Sequence, residues 1–315
     1  MATNETVTRV AQKAVQQELH AWGRVFRDVD AALAAPPTDS PWAEYLAWET
    51  RAPKVLAKTS CELRAAARRA LKEALSTAGE HARAACRLLD HPLLAVPALA
   101  AARNAHDALL PVLWVADPAL SPGGRLVRLA AHYLDYVQEH HRFLVAFERV
   151  VEGVLVNEAL SQLNEAQETL ERAGLTLRRH GTEPQYVVHL TLGGDRADLR
   201  FKPTDAARTY TPGLARQYAV ASGATHTRMW LTPGMRIGGA DTSAAIVLPL
   251  FDLADYLGDG LLPLVGMDAR PMHLATHRRR TAIHETARPN TGHRIRLGYE
   301  DFAERREDEA RRSTR

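Results

Sequence analysis

Apolar side chains recur with a helical period along most of the chain. Between Thr6 and Ala34, Val7, Val10, Ala14, Trp22, Val29 and Leu33 belong to one stripe, which predicts a long amphipathic helix. Pro36 and Pro37 end it, because proline lacks an amide donor and restricts the residue before it. Ser40-Pro41 opens a second helix in the favoured N-cap, N1 order, running through Trp42, Tyr45, Leu46 and Trp48 toward Pro53. Val55–Leu89 reads as a third helix with a break or kink at Gly79. A fourth begins at His91-Pro92, contains Arg103, His106 and Asp107, and ends near Asp117-Pro118. The longest periodic stretch runs from Arg125 to about Arg172, with Gly174 as its C-terminal cap.

The period then changes. Leu175–Leu177, Tyr186–Leu192 and Ala197–Phe201 alternate as strands do, with Gly193-Gly194-Asp195 as the hairpin loop between the last two. Helical periodicity resumes over Thr204–Leu231. After a loop at Pro233-Gly234 and Gly238-Gly239, an apolar helix follows from Thr242 to about Gly266, with breaks expected at Pro249 and Gly258–Gly260. A basic segment from Arg270 to Arg296 precedes an end that is almost wholly charged and polar from Tyr299. The fold class expected is mainly α: a multi-helix bundle with a small antiparallel β-hairpin insertion and a basic, partly disordered C-terminus. The division expected is an N-terminal helical bundle (1–174), the insertion (175–203), helices completing the same bundle (204–287) and a charged tail (288–315).

Composition narrows this picture in three ways. The chain has 315 residues, 46% hydrophobic and 24% charged, which is enough to bury a sizeable core. Its net charge of +3 offers no global electrostatic case for nucleic acid or an anionic membrane, so any such case must be local. Positive charge is almost all arginine and alanine is plentiful, which fits a GC-rich codon usage as well as phosphate recognition. Cys61 and Cys86 lie in alanine-rich helical patterns without zinc or CxxC spacing, so two buried, reduced thiols are expected. The N-terminal stretch has no apolar signal core, and no run reaches about 18 apolar residues, so a cytoplasmic protein without a membrane span is expected.

The residues that could carry chemistry fall on two helices. Tyr218, Ser222, His226 and Trp230 are spaced i, i+4, i+8 and i+12, which stacks them along one helix face. His226 could serve as acid or base with Ser222 as nucleophile, or the face could simply be packed, with His226 structural. Arg103 and Asp107, at i and i+4, form either an ordinary helical ion pair or a site in which Asp107 orients His226 across the bundle. The catalytic candidates are therefore His226, Ser222, Asp107 and Arg103, with Tyr218 and Trp230 as pocket residues. Arg270, Arg278, Arg279, Arg280, Arg288, Arg294 and Arg296 are candidate nucleic-acid contacts, with Glu285 the one acid between Arg270 and Arg296. The alternative is a positively charged helix end and a solvated tail. No aromatic residue interrupts the segment before Tyr299, which argues against a single-strand stacking platform. His273 and His277 have a metal-compatible spacing but no complete ligand set, and neither glycine pair has a phosphate-loop fingerprint, so no metal or cofactor is expected.

Arg103, Asp107, Trp114, Asp117 and Pro118, followed far downstream by Tyr218, Ser222 and His226, resemble the pattern of a group of uncharacterised actinobacterial all-helical proteins. More distantly, they resemble the HEPN superfamily. The resemblance covers roughly residues 50–235 and rests on short motifs. It implies a helical bundle, frequent homodimerisation and, in some members, RNA cleavage in defence against phage or in toxin–antitoxin systems. HEPN ribonucleases use an Arg-x4–6-His motif; here an Arg-x4-His spacing occurs at Arg279 and His284 and at Arg288 and His293, away from the stripe. The first expectation is thus a HEPN-like protein handling nucleic acid, RNA above all, in a defence or stress setting. The others are a non-catalytic interaction or dimerisation protein, and a small-molecule binding protein or enzyme with a pocket in the bundle.

Overall fold

The computed structural model describes residues 4–90, 94–147, 150, 152–199, 201–225 and 240–287. It is mainly α-helical, with one small antiparallel sheet. Helices α1 (Asn4–Ala34), α2 (Pro41–Arg51) and α3 (Lys54–Arg87) follow the expected pattern. Ser40 caps α2 by accepting a hydrogen bond from the Ala43 amide, with Pro41 at the first helical position. Gly79 does not break α3. A Cβ there would make only ordinary contacts, with Leu19 and Arg83, so no close approach requires the glycine. Helix α4 (Ala95–Ala116) runs through Pro111.

Two expected helices are each divided. The stretch from Arg125 to Arg172 becomes α5 (Pro122–Ala146) and α6 (Gly153–Arg172), which pack against each other. An apolar stripe has the same period whether it runs along one helix or is folded back on itself, so periodicity misses the break. The stretch from Thr204 onward becomes α7 (Pro203–Tyr210), a single 3₁₀ turn (Pro212–Leu214) and α8 (Ala215–Thr225), with Pro212 at the break. Conversely, α9 (Ala240–Leu264) continues through Pro249 and Gly258–Gly260, where breaks were expected. Its buried apolar side, including Val247, Phe251, Leu257 and Leu261, outweighs the hydrogen bond that each proline removes. Helix α10 spans Arg270–Ala287. The expected tail from 288 lies outside the described residues, as do His226 and Trp230.

The strands are β1 (Thr176–Arg179), β2 (Val187–Leu192) and β3 (Asp195–Asp198), antiparallel in the order β1-β2-β3. Leu190 sits opposite Leu177 and Ala197, and Gly193-Gly194 makes the two-residue turn. Gln138 on α5 satisfies the first residue of the central strand β2, beyond its pairing with β3, accepting from the Val187 amide at 2.6 Å and donating to its carbonyl at 3.2 Å. Gly174, which ends α6, has φ +90, and its Cβ position is empty. Gly174→Ala is therefore expected to destabilise by about 1 kcal/mol through backbone conformation alone, since there is nothing to clash with. A urea midpoint equal to that of the unsubstituted protein would contradict this.

The chain forms two compact units: Met1–Ala35, Glu73–Ala116 and Lys202–Arg315 in one, Pro36–Lys72 and Asp117–Phe201 in the other. The expected insertion at 175–203 falls almost wholly in the second unit, and the helices of 204–287 belong with the first. The second unit has a buried network in which Tyr45 and Ser60 share a 2.6 Å hydrogen bond. Ser60 also donates to Glu49, which Arg64 clamps with two nitrogens at 2.8 and 3.0 Å. The first unit has a core of Ala11, Val15, Ala85, Ala98, Val247 and Ile283, among others. Cys86 is in this core, where burial pushes its thiol up to about 12; Cys61 is exposed, contrary to expectation. No helix among the described residues is long and apolar enough to cross a membrane.

Candidate functional site

Within the first unit, α4, α8 and α9 line a half-open cavity of about 550 Å³. Each helix presents a face of helical period. Helix α4 contributes Ala95, Leu99, Ala102, Arg103 and His106; the 3₁₀ turn and α8 contribute Leu214, Gln217, Tyr218 and Ala221. Helix α9 adds Ala245, Ile246, Pro249, Leu250 and Leu253. The cavity exists because these faces carry alanine where a close-packed core would carry larger side chains. This volume lies in the range of small-molecule sites.

One wall is polar and tightly organised. Arg103 and Asp107 form the expected i,i+4 ion pair at 3.1 Å. Tyr218, buried on α8, closes the arrangement: its hydroxyl donates to Asp107 Oδ1 at 2.5 Å and accepts from Arg103 Nη2 at 3.1 Å. The guanidinium also lies 5.2 Å from the Tyr218 ring centre. Burial, then the bond to Asp107 and its negative charge, push the Tyr218 phenol up to about 12, so it stays a donor at neutral pH. Asp107 thus spends its carboxylate on Arg103 and Tyr218. Ser222, half-buried one turn beyond Tyr218, is not among the residues lining the cavity.

The neighbouring imidazole went unrecognised in the sequence. His106 packs edge-on against the Tyr218 ring, with centres 5.0 Å apart. Its Nε2 lies 2.8 Å from Thr211 Oγ1, and Thr211 in turn donates to the Ala207 carbonyl. The threonine's proton is therefore committed, and the neutral imidazole must donate from Nε2. Burial, and then the positive charge of Arg103, hold the His106 pKa down at about 4, against 6.5 ordinarily. The sign follows from linkage: the stability that neutral His106 contributes is full above about pH 6.5 and is lost as pH falls toward 4. His106→Gln is expected to flatten this acid limb, worth about 3 kcal/mol at most, in urea midpoints measured across that range. An acid limb of unchanged steepness would refute the assignment.

The basic segment is arranged differently from the expected footprint. Arg279 is ion-paired with buried Glu18, whose second oxygen accepts from Thr276 at 2.9 Å. Burial raises the Glu18 pKa, while the Arg279 charge and these hydrogen bonds oppose the rise. Arg280, itself buried, pairs with Asp255 and, at 3.0 Å, with Asp252. His273 is held between Asp255, 2.9 Å from Nδ1, and Asp259, 2.7 Å from Nε2. Burial alone would lower its pKa, but the two carboxylates outweigh burial and hold it at about 9. Arg270 is exposed and bonded to Asp268, and Arg278 is exposed. Arg288, Arg294 and Arg296 lie outside the described residues.

The segment looks uniformly basic because its acidic partners are on other helices, Glu18 on α1 and Asp252, Asp255 and Asp259 on α9. Arg279 and Arg280 are thus engaged inside the unit instead of facing a phosphate backbone. Comparison with protein-family models, curated proteins and solved structures finds no match to this chain.

Proposed function

We propose that the protein binds a small molecule in the cavity between α4, α8 and α9. The observation that carries this reading is the cavity itself: about 550 Å³, walled mainly by aliphatic side chains and organised on one side by Arg103 and Tyr218, both bonded to Asp107. A binding pocket of this kind combines a mainly apolar lining with a few fixed polar groups. The polar groups are already hydrogen-bonded to one another, so they are preorganised to orient a guest without first rearranging. The HEPN-like, RNA-handling reading rests on the sequence resemblance. Two of its seven arginines, Arg279 and Arg280, are committed to internal carboxylates, and this favours the cavity reading.

The test is a fluorescence titration of the full chain with the neutral apolar dye N-phenyl-1-naphthylamine, run beside RNA binding over a salt series. Saturable dye binding at one site, with weak RNA binding, is expected. Absence of saturable dye uptake would sink the proposal. So would tight RNA binding that falls steeply with salt, the signature of a phosphate-backbone interface.

A further inference from the structure

The charge on the cavity wall is unbalanced in a particular way. Of the sixteen described residues lining it, eleven are Ala, Val, Leu, Ile or Pro, and none is acidic. Two are arginines. Arg103 is offset by Asp107 immediately behind it. Arg216, exposed at the N-terminal end of α8, has no ion-pair partner among the described residues. His106 adds no charge near neutral pH, because its imidazole is held in the neutral form. Among the described residues, the site therefore carries one uncompensated positive charge, which suits one negative charge better than two.

Arg103 also lines the cavity, with Nη1 on Asp107 and Nη2 on the Tyr218 hydroxyl. The remaining wall decides what else the guest must be. It is mainly aliphatic, and its two rings among the described residues, Tyr218 and His106, are packed edge-on against each other.

On the premise that the cavity is a small-molecule site, we infer that its ligand is an aliphatic monocarboxylic acid. The carboxylate is drawn to Arg103 and Arg216, and the hydrocarbon body lies against the aliphatic faces of α4, α8 and α9. The alanines at 95, 102, 221 and 245 set the width available to that body.

The experiment is displacement of bound N-phenyl-1-naphthylamine from the full chain by three probes of equal chain length: dodecanoate, dodecan-1-ol and dodecyltrimethylammonium, each kept below its micelle concentration. Dodecanoate is expected to bind about tenfold more tightly than the alcohol, the gain of a charge-assisted hydrogen bond, and the cation most weakly. Arg216→Gln, at an exposed position, is expected to cut the acid's advantage over the alcohol, both measured on the variant, to about threefold. The double variant Arg103→Gln, Asp107→Asn leaves no buried charge unpaired and is expected to remove most of what remains. Equal binding of acid and alcohol, or an Arg216→Gln variant with an unchanged acid-to-alcohol ratio, would overturn the carboxylate assignment while leaving the cavity reading standing. Failure of the dye and all three probes to bind would overturn both.

Discussion

Asp255→Ala is expected to lower the unfolding free energy by about 3–5 kcal/mol, the cost of breaking a buried ion pair by removing one partner. The Asp255 side chain is 1% exposed and serves two cations, Arg280 and, at 2.9 Å, His273. Its loss leaves Arg280 to the half-exposed Asp252 and His273 to Asp259. Those carboxylates sit closer to water and neutralise less. The same substitution should pull the His273 pKa down from about 9, because burial opposes the charged imidazole and one of the two compensating carboxylates has gone.

The pH dependence has a definite sign. With the His273 pKa raised from 6.5 to about 9, its stabilisation is complete below pH 6.5 and is lost as pH rises through 9. Asp255→Ala should therefore flatten the alkaline limb of the stability profile, whereas His106→Gln flattens the acid limb. Urea midpoints across pH, together with an NMR titration of the His273 ring, would check this. A loss below about 1 kcal/mol with an unchanged histidine titration would show that the network is not the anchor described.

Ala102→Trp is the second large expected effect. Ala102 is buried, on α4, and lines the cavity. An indole there has empty space to occupy, so ligand affinity should fall by about a hundredfold or more while the fold is retained. Ala85 is the control. It is equally small and fully buried, but it lies in the packed core around Ala11 and Cys86 and does not line the cavity. Tryptophan at 85 must push neighbouring side chains off their rotamers, which costs about 1–3 kcal/mol or more. If Ala102→Trp destabilises as much as Ala85→Trp, the space beside Ala102 is closed in solution and the ligand reading loses its physical basis. If Ala102→Trp folds normally and still binds the dye as the parent does, the dye binds elsewhere.

Much of the fold was legible in the residues. The helical stripes, the Ser40-Pro41 cap and the strand alternation around Gly193-Gly194 are local signals, and α2 and β2 appear where those signals stand, while β3 starts two residues before the expected Ala197 and takes Asp195 out of the expected loop. Part of the site was legible for the same reason. Arg103 and Asp107 meet because four residues is one helical turn. The division between α5 and α6, the break at Pro212 and the continuity of α9 through Pro249 run against the local signals. There, two packings share one period, or tertiary burial overrides a local breaker.

By itself, then, the sequence determined which segments are helical, which are strands, and which polar residues share a helix face, because these depend on neighbours within a few residues. Only the tertiary structure decided where those faces point. It brought Tyr218 to an aspartate 111 positions earlier, and gave Arg279 and Arg280 to carboxylates on α1 and α9. It also left a cavity beside Ala102. Hydrophobic periodicity records which side of a helix is buried but not how much volume faces it, and charge along a chain does not reveal which charges will be paired across it.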